Sequence, residues 1–289
     1  MPTEKIAVVT GANKGVGFAI VKGLCEKYQG GVYLTSRNEE KGKAAVAKLK
    51  ELGFSPIYHQ LDIADQTSVD RFKEHIRSTH GGLDLLINNA GVLYRPSNPP
   101  RPSAEYIREA ENTISINYYG TVRLCDALFP LLRDNARVVN VSSSAGHPSR
   151  IPLASLRAKF TNRDLTIPQL NELVEKFLRD AKENKTEQEG WGKLPYCAYV
   201  VSKVSISAYT NIQQKLLDKE VPYRNIAINS VHPGWVKTDM NIDGFHTVEQ
   251  GAKGPLYLAL EADLKGKYVW FDCRLVDWYG ETTPPKPTV

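Results

Sequence analysis

Clustered metal ligands and long hydrophobic runs are both missing from this sequence of 289 residues. The four cysteines, Cys25, Cys125, Cys197 and Cys273, stand far apart and form no ligand-spaced pair. This spacing predicts free thiols in a reducing compartment and no disulfide framework. The histidines do not cluster either, so we expect no metal site. No apolar stretch is long enough to span a bilayer, and no signal peptide precedes the first apolar segment, so we expect a cytoplasmic protein without membrane contact.

A strong charge of one sign is also lacking. The net charge is +5, and the lysines are spread along the chain rather than gathered in a patch. Lys41, Lys43 and Lys48 alternate with alanine and leucine, as on the solvated face of a helix. We therefore expect no nucleic-acid surface. Hydrophobic residues make up 42% of the chain, which is enough for a sizeable core in one large domain.

Short apolar segments alternate with longer segments of helical periodicity. This alternation, with nearly continuous apolar strands, favours an α/β fold with a doubly wound, mostly parallel sheet of Rossmann type, covered on both faces. Seven segments read as strands, namely 6–10, 32–35, 57–61, 83–88, 137–141, 226–231 and 268–271.

One segment departs from this alternation. Residues 149–194 contain no convincing strand, but 166–182 is amphipathic, with Leu170, Val174 and Phe177 on one side. We interpret 149–194 as a helical subdomain inserted into a single domain that spans 1–289. The proline-rich end, 281–289, is predicted to be a loose tail.

A glycine-rich turn lies between the first predicted strand and helix. Gly11, Gly15 and Gly17 allow a tight turn and a close approach of backbone N–H groups to a pyrophosphate, at which the positive end of the next helix would point. Such a turn alone has no necessary function, but its position after a strand and before a helix favours dinucleotide binding.

The second predicted strand ends without the acidic residue that would bind a ribose 2′-hydroxyl. Arg37 stands there instead, and Lys14 in the glycine-rich turn is the natural second cation. Either one alone fits a solvent-facing charge, but together they favour the 2′-phosphate of NADP(H). Asp62 follows the third strand, where its carboxylate would accept from the adenine amino group, and Asn89 and Gly91 would lie against the adenosine.

Tyr199 and Lys203 stand four residues apart, about one helical turn, so both side chains emerge on one face. A phenol has a pKa of ~10, and a nearby ammonium favours the phenolate and lowers that value. A phenol tuned in this way exchanges a proton with a carbonyl or alcohol oxygen near neutral pH. The pair alone is weak support for catalysis, because tyrosine and lysine also meet at this spacing on helix surfaces.

Taken together, the motifs make this chain resemble a short-chain dehydrogenase/reductase. They occur in the family's order and span residues 6 to 238. They are Thr10-Gly-Ala-Asn-Lys-Gly-Val-Gly17, Asn88-Asn-Ala-Gly91, Asn117 in Ile-Asn-Tyr-Tyr-Gly, Asn140-Val-Ser-Ser143, Tyr199-Val-Val-Ser-Lys203 and Pro233-Gly-Trp-Val-Lys-Thr238.

The resemblance implies a catalytic tetrad of Asn117, Ser143, Tyr199 and Lys203, with Ser143 preferred over Ser142. In family terms Ser143 and Tyr199 bind the carbonyl oxygen, Lys203 lowers the tyrosine pKa and holds the nicotinamide ribose, and Asn117 kinks its helix and fixes a water. The full set of coenzyme contacts that we expect is Gly11, Asn13, Lys14, Gly15, Val16, Gly17, Arg37, Asp62, Ile63, Asn89, Gly91, Tyr199, Lys203, Val236 and Thr238.

A narrower resemblance follows from one departure from the family pattern. Ser143 stands 56 positions before Tyr199, whereas the family usually separates them by about a dozen. The monomeric carbonyl reductases carry a helical insertion of this kind, and Gly190-Trp191 and Trp235 to Met240 also look like that subgroup. An insertion there would cover the helices that form a dimer interface in other members, so we expect a monomer.

The substrate is less well indicated. The expected pocket contains Ser143, Tyr199, Trp235 and Met240, with Tyr94, Ala145 and His147 as further candidates, although Trp235 is as easily a core residue. An apolar wall suits hydrophobic ketones, aldehydes and quinones. The alternatives are a dedicated biosynthetic reductase of a terpenoid, alkaloid or steroid ketone, and a non-catalytic NADP(H) sensor.

Overall fold

The computed structural model describes residues 4–95 and 103–284, and within them one eight-stranded sheet forms the centre of the fold. Its order is β3-β2-β1-β4-β5-β6-β7-β8, and every neighbouring pair is parallel except β7 and β8. The strands are β1 Ile6–Val9, β2 Gly31–Ser36, β3 Ile57–Gln60, β4 Leu83–Asn88, β5 Leu132–Val141, β6 Ala227–Val231, β7 Tyr268–Val269 and β8 Leu275–Val276.

Helices cover both faces, as the buried strands require. They are α1 Gly15–Lys27, α2 Glu39–Glu51, α3 Gln66–His80, α4 Ser103–Ile114, α5 Thr121–Leu128, α6 Ala154–Phe160, α7 Ile167–Lys182, α8 Tyr196–Leu217 and α9 Val248–Leu260. One apolar cluster packs α1, α2 and α9 on one face, and a larger cluster packs α3, α4, α5 and α8 on the other. The predicted doubly wound, mostly parallel α/β fold is confirmed.

This topology determines where the site lies. The strand order reverses between β1 and β4, and ligands bind such sheets in the crevice at the carboxyl ends of the strands beside that reversal. The loops after β1, β4, β5 and β6, which carry most of the predicted site residues, therefore meet at one edge.

Three local features differ from the sequence-based prediction. The helical pattern that follows residue 102 predicts one long helix ending near Leu132, but a π-helical turn, Ser115–Gly120, interrupts it. Strand β5 starts at Leu132, five residues earlier than predicted. The antiparallel strand β8 was not predicted, because two residues carry no periodicity. The sequence also predicts a proline-rich loop over 95–102, which lies almost wholly outside the described residues.

Residues 144–195, all of which the structure describes, contain two 3-10 turns, α6 and α7, and no strand. The helix α7 begins with a capping box formed by Thr166 and Gln169, and it packs against α4 and α8. Trp191 closes the segment: it is buried against Phe177, and its Nε1–H donates to Asp180 Oδ2 at 2.6 Å. Of the predicted tail, residues 281–284 form neither helix nor strand, and 285–289 lie outside the described residues.

Candidate active site

The glycine-rich turn connects β1 to α1 and leaves no room for side chains. A Cβ atom on Gly11 would lie 2.8 Å from Ala90 Cα, and one on Gly17 would lie 2.5 Å from Asn89 Nδ2. Gly11 and Gly15 also have positive φ angles, 61° and 60°. The first turn of α1 has neither a capping side chain nor an acidic residue. Its N–H groups therefore face outward as donors, an arrangement that fits a pyrophosphate.

Asn89 ties the loop after β4 to the glycine-rich turn. Its Nδ2 donates to the Thr10 carbonyl at 3.0 Å and to the Gly11 carbonyl at 3.2 Å, and its N–H donates to Thr10 Oγ1. Asn89 thus supports the turn as well as lying beside it. Asn13 and Val16, in the same turn, are half-buried.

The residues predicted at the adenosine end surround the ends of β2 and β3. Arg37 follows β2 directly and is exposed. Asp62 uses Oδ1 to accept from the Ala64 N–H at 2.9 Å, whereas Ile63 is buried and packs against Gly120. The side chain of Ile63 is therefore a core group, which leaves only its backbone for a coenzyme contact.

Lys14 has a partner that the sequence did not suggest. Its Nζ lies 2.7 Å from Asp239 Oδ2, and the two side chains are 66% and 79% exposed. An ion pair this exposed contributes little to stability, so a phosphate can replace the Asp239 carboxylate at Lys14. The pair also places the segment after β6 beside the glycine-rich turn, where Thr238 Cγ2 lies 3.4 Å from the position of a Cβ on Gly15. The Val236 side chain is buried beside Gly251, as is that of Val16, so Val236 reaches a coenzyme only through its backbone.

The four expected catalytic residues come from three elements and meet at one place. Tyr199 and Lys203 lie on α8, Ser143 follows β5, and Asn117 lies in the π-helical turn. A Cβ on Gly91 would lie 3.1 Å from Asn117 Oδ1 and 3.6 Å from Lys203 Nζ. Lys203 Nζ donates to the Val141 carbonyl at 2.8 Å and lies 5.7 Å from the centroid of the Tyr199 ring.

Ser143, rather than Ser142, faces Tyr199. The Ser142 hydroxyl is buried, 2.8 Å from Ser207 Oγ, where it joins the loop to α8. The Ser143 Oγ accepts from the Ala145 N–H at 3.2 Å, and the Ser143 hydroxyl is near enough to the Tyr199 phenol to lower its pKa.

Asn117 has a more structural environment than the sequence suggested. Its Oδ1 accepts from the Val92 N–H at 2.8 Å, and its Nδ2 donates to the Val92 carbonyl at 2.9 Å and to Ser202 Oγ at 3.1 Å. Ser202 in turn donates to the carbonyl of Tyr199 at 2.8 Å. Asn117 thus links the loop after β4 to the first turns of α8.

The expected lowering of the Tyr199 pKa by Lys203 is wrong in this structure. Burial raises the pKa of Tyr199 to about 12, more than the hydrogen bond with Ser143 lowers it. Burial also lowers the pKa of Lys203 to about 8, and its Nζ binds a backbone carbonyl instead of the phenol. The phenol is consequently protonated at neutral pH, which is the form that donates a proton.

Two of the residues predicted for the pocket wall lie at the surface. Trp235 and Met240 are each 39% exposed, so Trp235 is not a core residue. The Trp235 Nε1–H donates to the Asp243 carbonyl at 3.0 Å, and the Arg95 guanidinium lies 5.8 Å from its ring.

Ala145 and His147 do not belong to the wall, because both are fully buried. Tyr94 is half-buried. Sequence reasoning missed a cleft of about 510 Å³ between the insertion and the start of α8. It is lined by Arg150, Lys193 and Tyr196 among others, and the Tyr196 ring lies 6.4 Å from that of Tyr199.

Within residues 4–95 and 103–284, no group of three histidine, cysteine or acidic side chains is placed to bind a metal ion. None of the helices in those ranges has both the length and the apolar character to cross a bilayer. All four cysteines are free thiols.

Known proteins resemble this chain over most of its length. Carbonyl reductase (NADPH) 3 of Mus musculus is 42% identical over 259 residues, which are 89% of this chain and 91% of that protein. Carbonyl reductase (NADPH) 1 of Homo sapiens is 37% identical over 278 residues, covering 94% and 98%.

Among solved structures, salutaridine reductase from Papaver somniferum superposes with a TM-score of 0.80 at 33% identity, over 93% of this chain and all of that one. Menthone neomenthol reductase from Mentha piperita gives 0.77 and 31%, over 93% and 99%. The family model described as short chain dehydrogenase matches residues 5–158. This chain therefore belongs to the short-chain dehydrogenase/reductase family.

Proposed function

We propose that this chain is an NADPH-dependent carbonyl reductase, in which Tyr199 protonates the oxygen of a ketone, aldehyde or quinone. The observation that carries the proposal is the convergence of a protonated Tyr199 phenol, the Ser143 hydroxyl and the Lys203 ammonium, next to the loop after β4 that Asn89 ties to the glycine-rich turn. Relatives named as NADPH-dependent carbonyl reductases match 89% or more of the chain, which supports the same activity here.

Each member of the site has a role that follows from its contacts. NADPH, when bound, supplies the hydride for the carbonyl carbon. Ser143 donates a hydrogen bond to the oxygen, where negative charge develops, and Tyr199 donates a second one and then its proton. Lys203 uses one of its three N–H donors on Val141, which leaves two for the nicotinamide ribose. Asn117 holds the loop after β4 against α8.

The coenzyme-binding roles rest on the same edge of the sheet. The glycine-rich turn and the first N–H groups of α1 would hold the pyrophosphate, and Arg37 and Lys14 would bind the 2′-phosphate. The residue directly after β2 is Arg37 and not the acidic residue that would bind a free ribose hydroxyl, which supports NADPH over NADH.

The test measures NADPH oxidation by the purified chain with quinones, small aldehydes, steroids and terpenoid ketones. A Tyr199→Phe variant should lose about 10²–10⁴-fold in kcat, the usual contribution of a general acid. Its NADPH binding, followed by the fluorescence of the bound coenzyme, should persist. Normal turnover by this variant would refute the assigned proton donor.

A specific observation favours one narrower alternative. The two structural relatives at 33% and 31% identity are named as reductases of salutaridine and menthone. A dedicated reductase of an alkaloid or terpenoid ketone is therefore the second candidate, and the same screen distinguishes it by a strong preference for one such ketone. Turnover of none of the substrates, with intact NADPH binding, would support a coenzyme sensor instead.

The environment of the site supports three further parts of the proposal. The apolar surface of Trp235 and Met240, and the cleft beside Tyr199, suit hydrophobic carbonyl compounds. Because α7 covers α4 and α8, we expect a monomer, and a dimer in sedimentation would contradict this. The free thiols suit a cytoplasmic location, which cell fractionation tests.

A further inference from the structure

The loop that carries Ser143 is bound by the far end of the chain. The Tyr268 hydroxyl donates to the Ser143 carbonyl, and the Trp278 Nε1–H donates to the Gly146 carbonyl at 2.8 Å. A third bond runs in the opposite direction, from His147 Nε2–H to the Asp277 carbonyl at 3.1 Å. We call residues 143–150 the serine loop and residues 268–278 the C-terminal hairpin. The three bonds join segments that are at least 125 positions apart.

These bonds are shielded from water. Tyr268 is 2% exposed, Trp278 is 4% exposed and His147 is fully buried. A buried phenol costs free energy unless its hydroxyl is hydrogen-bonded, and a phenylalanine would fill much the same space without that cost. A tyrosine is therefore favoured over a phenylalanine at position 268 only if the hydrogen bond of its hydroxyl to the serine loop contributes to stability or function.

The opposite side of the serine loop rests on α8. Ser142 Oγ lies 2.8 Å from Ser207 Oγ, and a Cβ on Gly146 would lie 2.9 Å from the carbonyl of Lys203. The loop is thus held between the helix that carries Tyr199 and the C-terminal hairpin. Because the loop is held on both sides, the position of the Ser143 hydroxyl relative to Tyr199 depends on both sets of contacts.

We propose that Tyr268 and Trp278 are positioning residues, which hold the serine loop so that Ser143 donates to the substrate oxygen in line with Tyr199. This inference rests on the proposed function, in which Ser143 binds that oxygen. Misplacing a donor by a fraction of an ångström weakens transition-state stabilisation far more than coenzyme binding. The inference therefore concerns kcat rather than the affinity for NADPH.

The test is a double-mutant comparison with Ser143. Tyr268→Phe should lower kcat about tenfold, when kcat is calculated from the concentration of sites that bind NADPH. The Kd for NADPH should stay unchanged within about twofold. In a Ser143→Ala background, the same Tyr268→Phe change should alter kcat by less than about twofold, because the group that it positions is gone. Single-turnover NADPH oxidation keeps the slow Ser143→Ala enzymes measurable. Trp278→Phe should show the same pattern in a weaker form.

A matched control separates positioning from general stability. Tyr33 is also 2% exposed, and its hydroxyl binds His75 and His80, away from the serine loop. Tyr33→Phe should keep kcat within about twofold.

The outcomes separate the two levels of the argument. If Tyr268→Phe lowers kcat by the same factor in the Ser143→Ala background as in the wild type, Tyr268 acts independently of Ser143. Normal kcat in Tyr268→Phe would exclude any positioning role. Either result overturns the inference. Normal activity of Ser143→Ala would instead refute the role of Ser143 in the proposed function.

Discussion

Replacing Asn117 by alanine tests how the loop after β4 and helix α8 are held together. The carboxamide of Asn117 binds both backbone groups of Val92 and the hydroxyl of Ser202, and the side chain is 2% exposed. Alanine leaves the Val92 N–H and carbonyl without these partners. Because Ser202 binds the Tyr199 carbonyl, the change also loosens the turn of α8 that carries the proposed proton donor.

The cost follows from the count of groups left without partners. A buried polar group that loses its partner costs about 1–3 kcal/mol. Val92 is only half-buried, so each of its two groups belongs near the lower limit, and the free energy of unfolding should fall by about 2–3 kcal/mol. For a domain of this size the change lowers Tm by about 3–5 °C. We expect kcat to fall at least about tenfold, since Tyr199 and Lys203 lose their fixed geometry.

Gln214→Ala is the matched control. Gln214 is 4% exposed, and its carboxamide also binds two backbone groups, the Ile226 carbonyl at 3.1 Å and the Ile228 N–H at 2.8 Å, but near the end of α8 that lies away from Tyr199. Thermal unfolding by circular dichroism should show a loss of Tm in both variants, whereas only Asn117→Ala should lose kcat. Equal kcat in the two variants would refute the functional part of this reasoning, and a Tm change below about 1 °C would refute the energetic part.

Two further predictions concern charge. Arg37→Ala should raise the KM for NADPH about tenfold or more, because a charge-assisted hydrogen bond is lost, while the KM for NADH stays unchanged. The control Arg77→Ala, at another exposed arginine, should change neither KM. Equal effects of Arg37→Ala on both coenzymes would count against phosphate recognition. Burial lowers the pKa of Lys203 from its usual 10.5 to about 8, so between these values the unfolded chain binds more protons and the contribution of Lys203 to stability rises with pH. Urea unfolding at pH values near 8 and 10 should show this slope in the wild type and not in Lys203→Met, and identical slopes would contradict the lowered pKa.

Sequence reasoning succeeded where the signal is local. The buried strands β1, β2 and β4 are short apolar runs, and the glycine-rich turn lies where a strand gives way to a helix. The choice of Ser143 over Ser142 also agrees with the geometry, although the resemblance to a family supplied it. The two-residue strand β8 escaped notice because it is defined only by its pairing with β7.

The chemical environment of the site was harder to anticipate. A tyrosine four residues from a lysine suggested a lowered phenol pKa, but the direction depends on burial and on where the ammonium points. Lys203 points to the Val141 carbonyl, a group 62 positions away. Asn117 similarly binds Val92, and no pattern in the sequence marks either backbone partner.

The amino-acid sequence by itself determined the alternation of strands and helices, the glycine-rich turn and the spacing of Tyr199 and Lys203, because each depends on neighbours within a few residues. Only the tertiary structure decided that Ser143 meets Tyr199 across an insertion, that Tyr268 and Trp278 bind the serine loop, and that the Tyr199 phenol keeps its proton. These features arise from contacts and desolvation between segments that are distant in the chain, and such contacts are formed by packing rather than by periodicity.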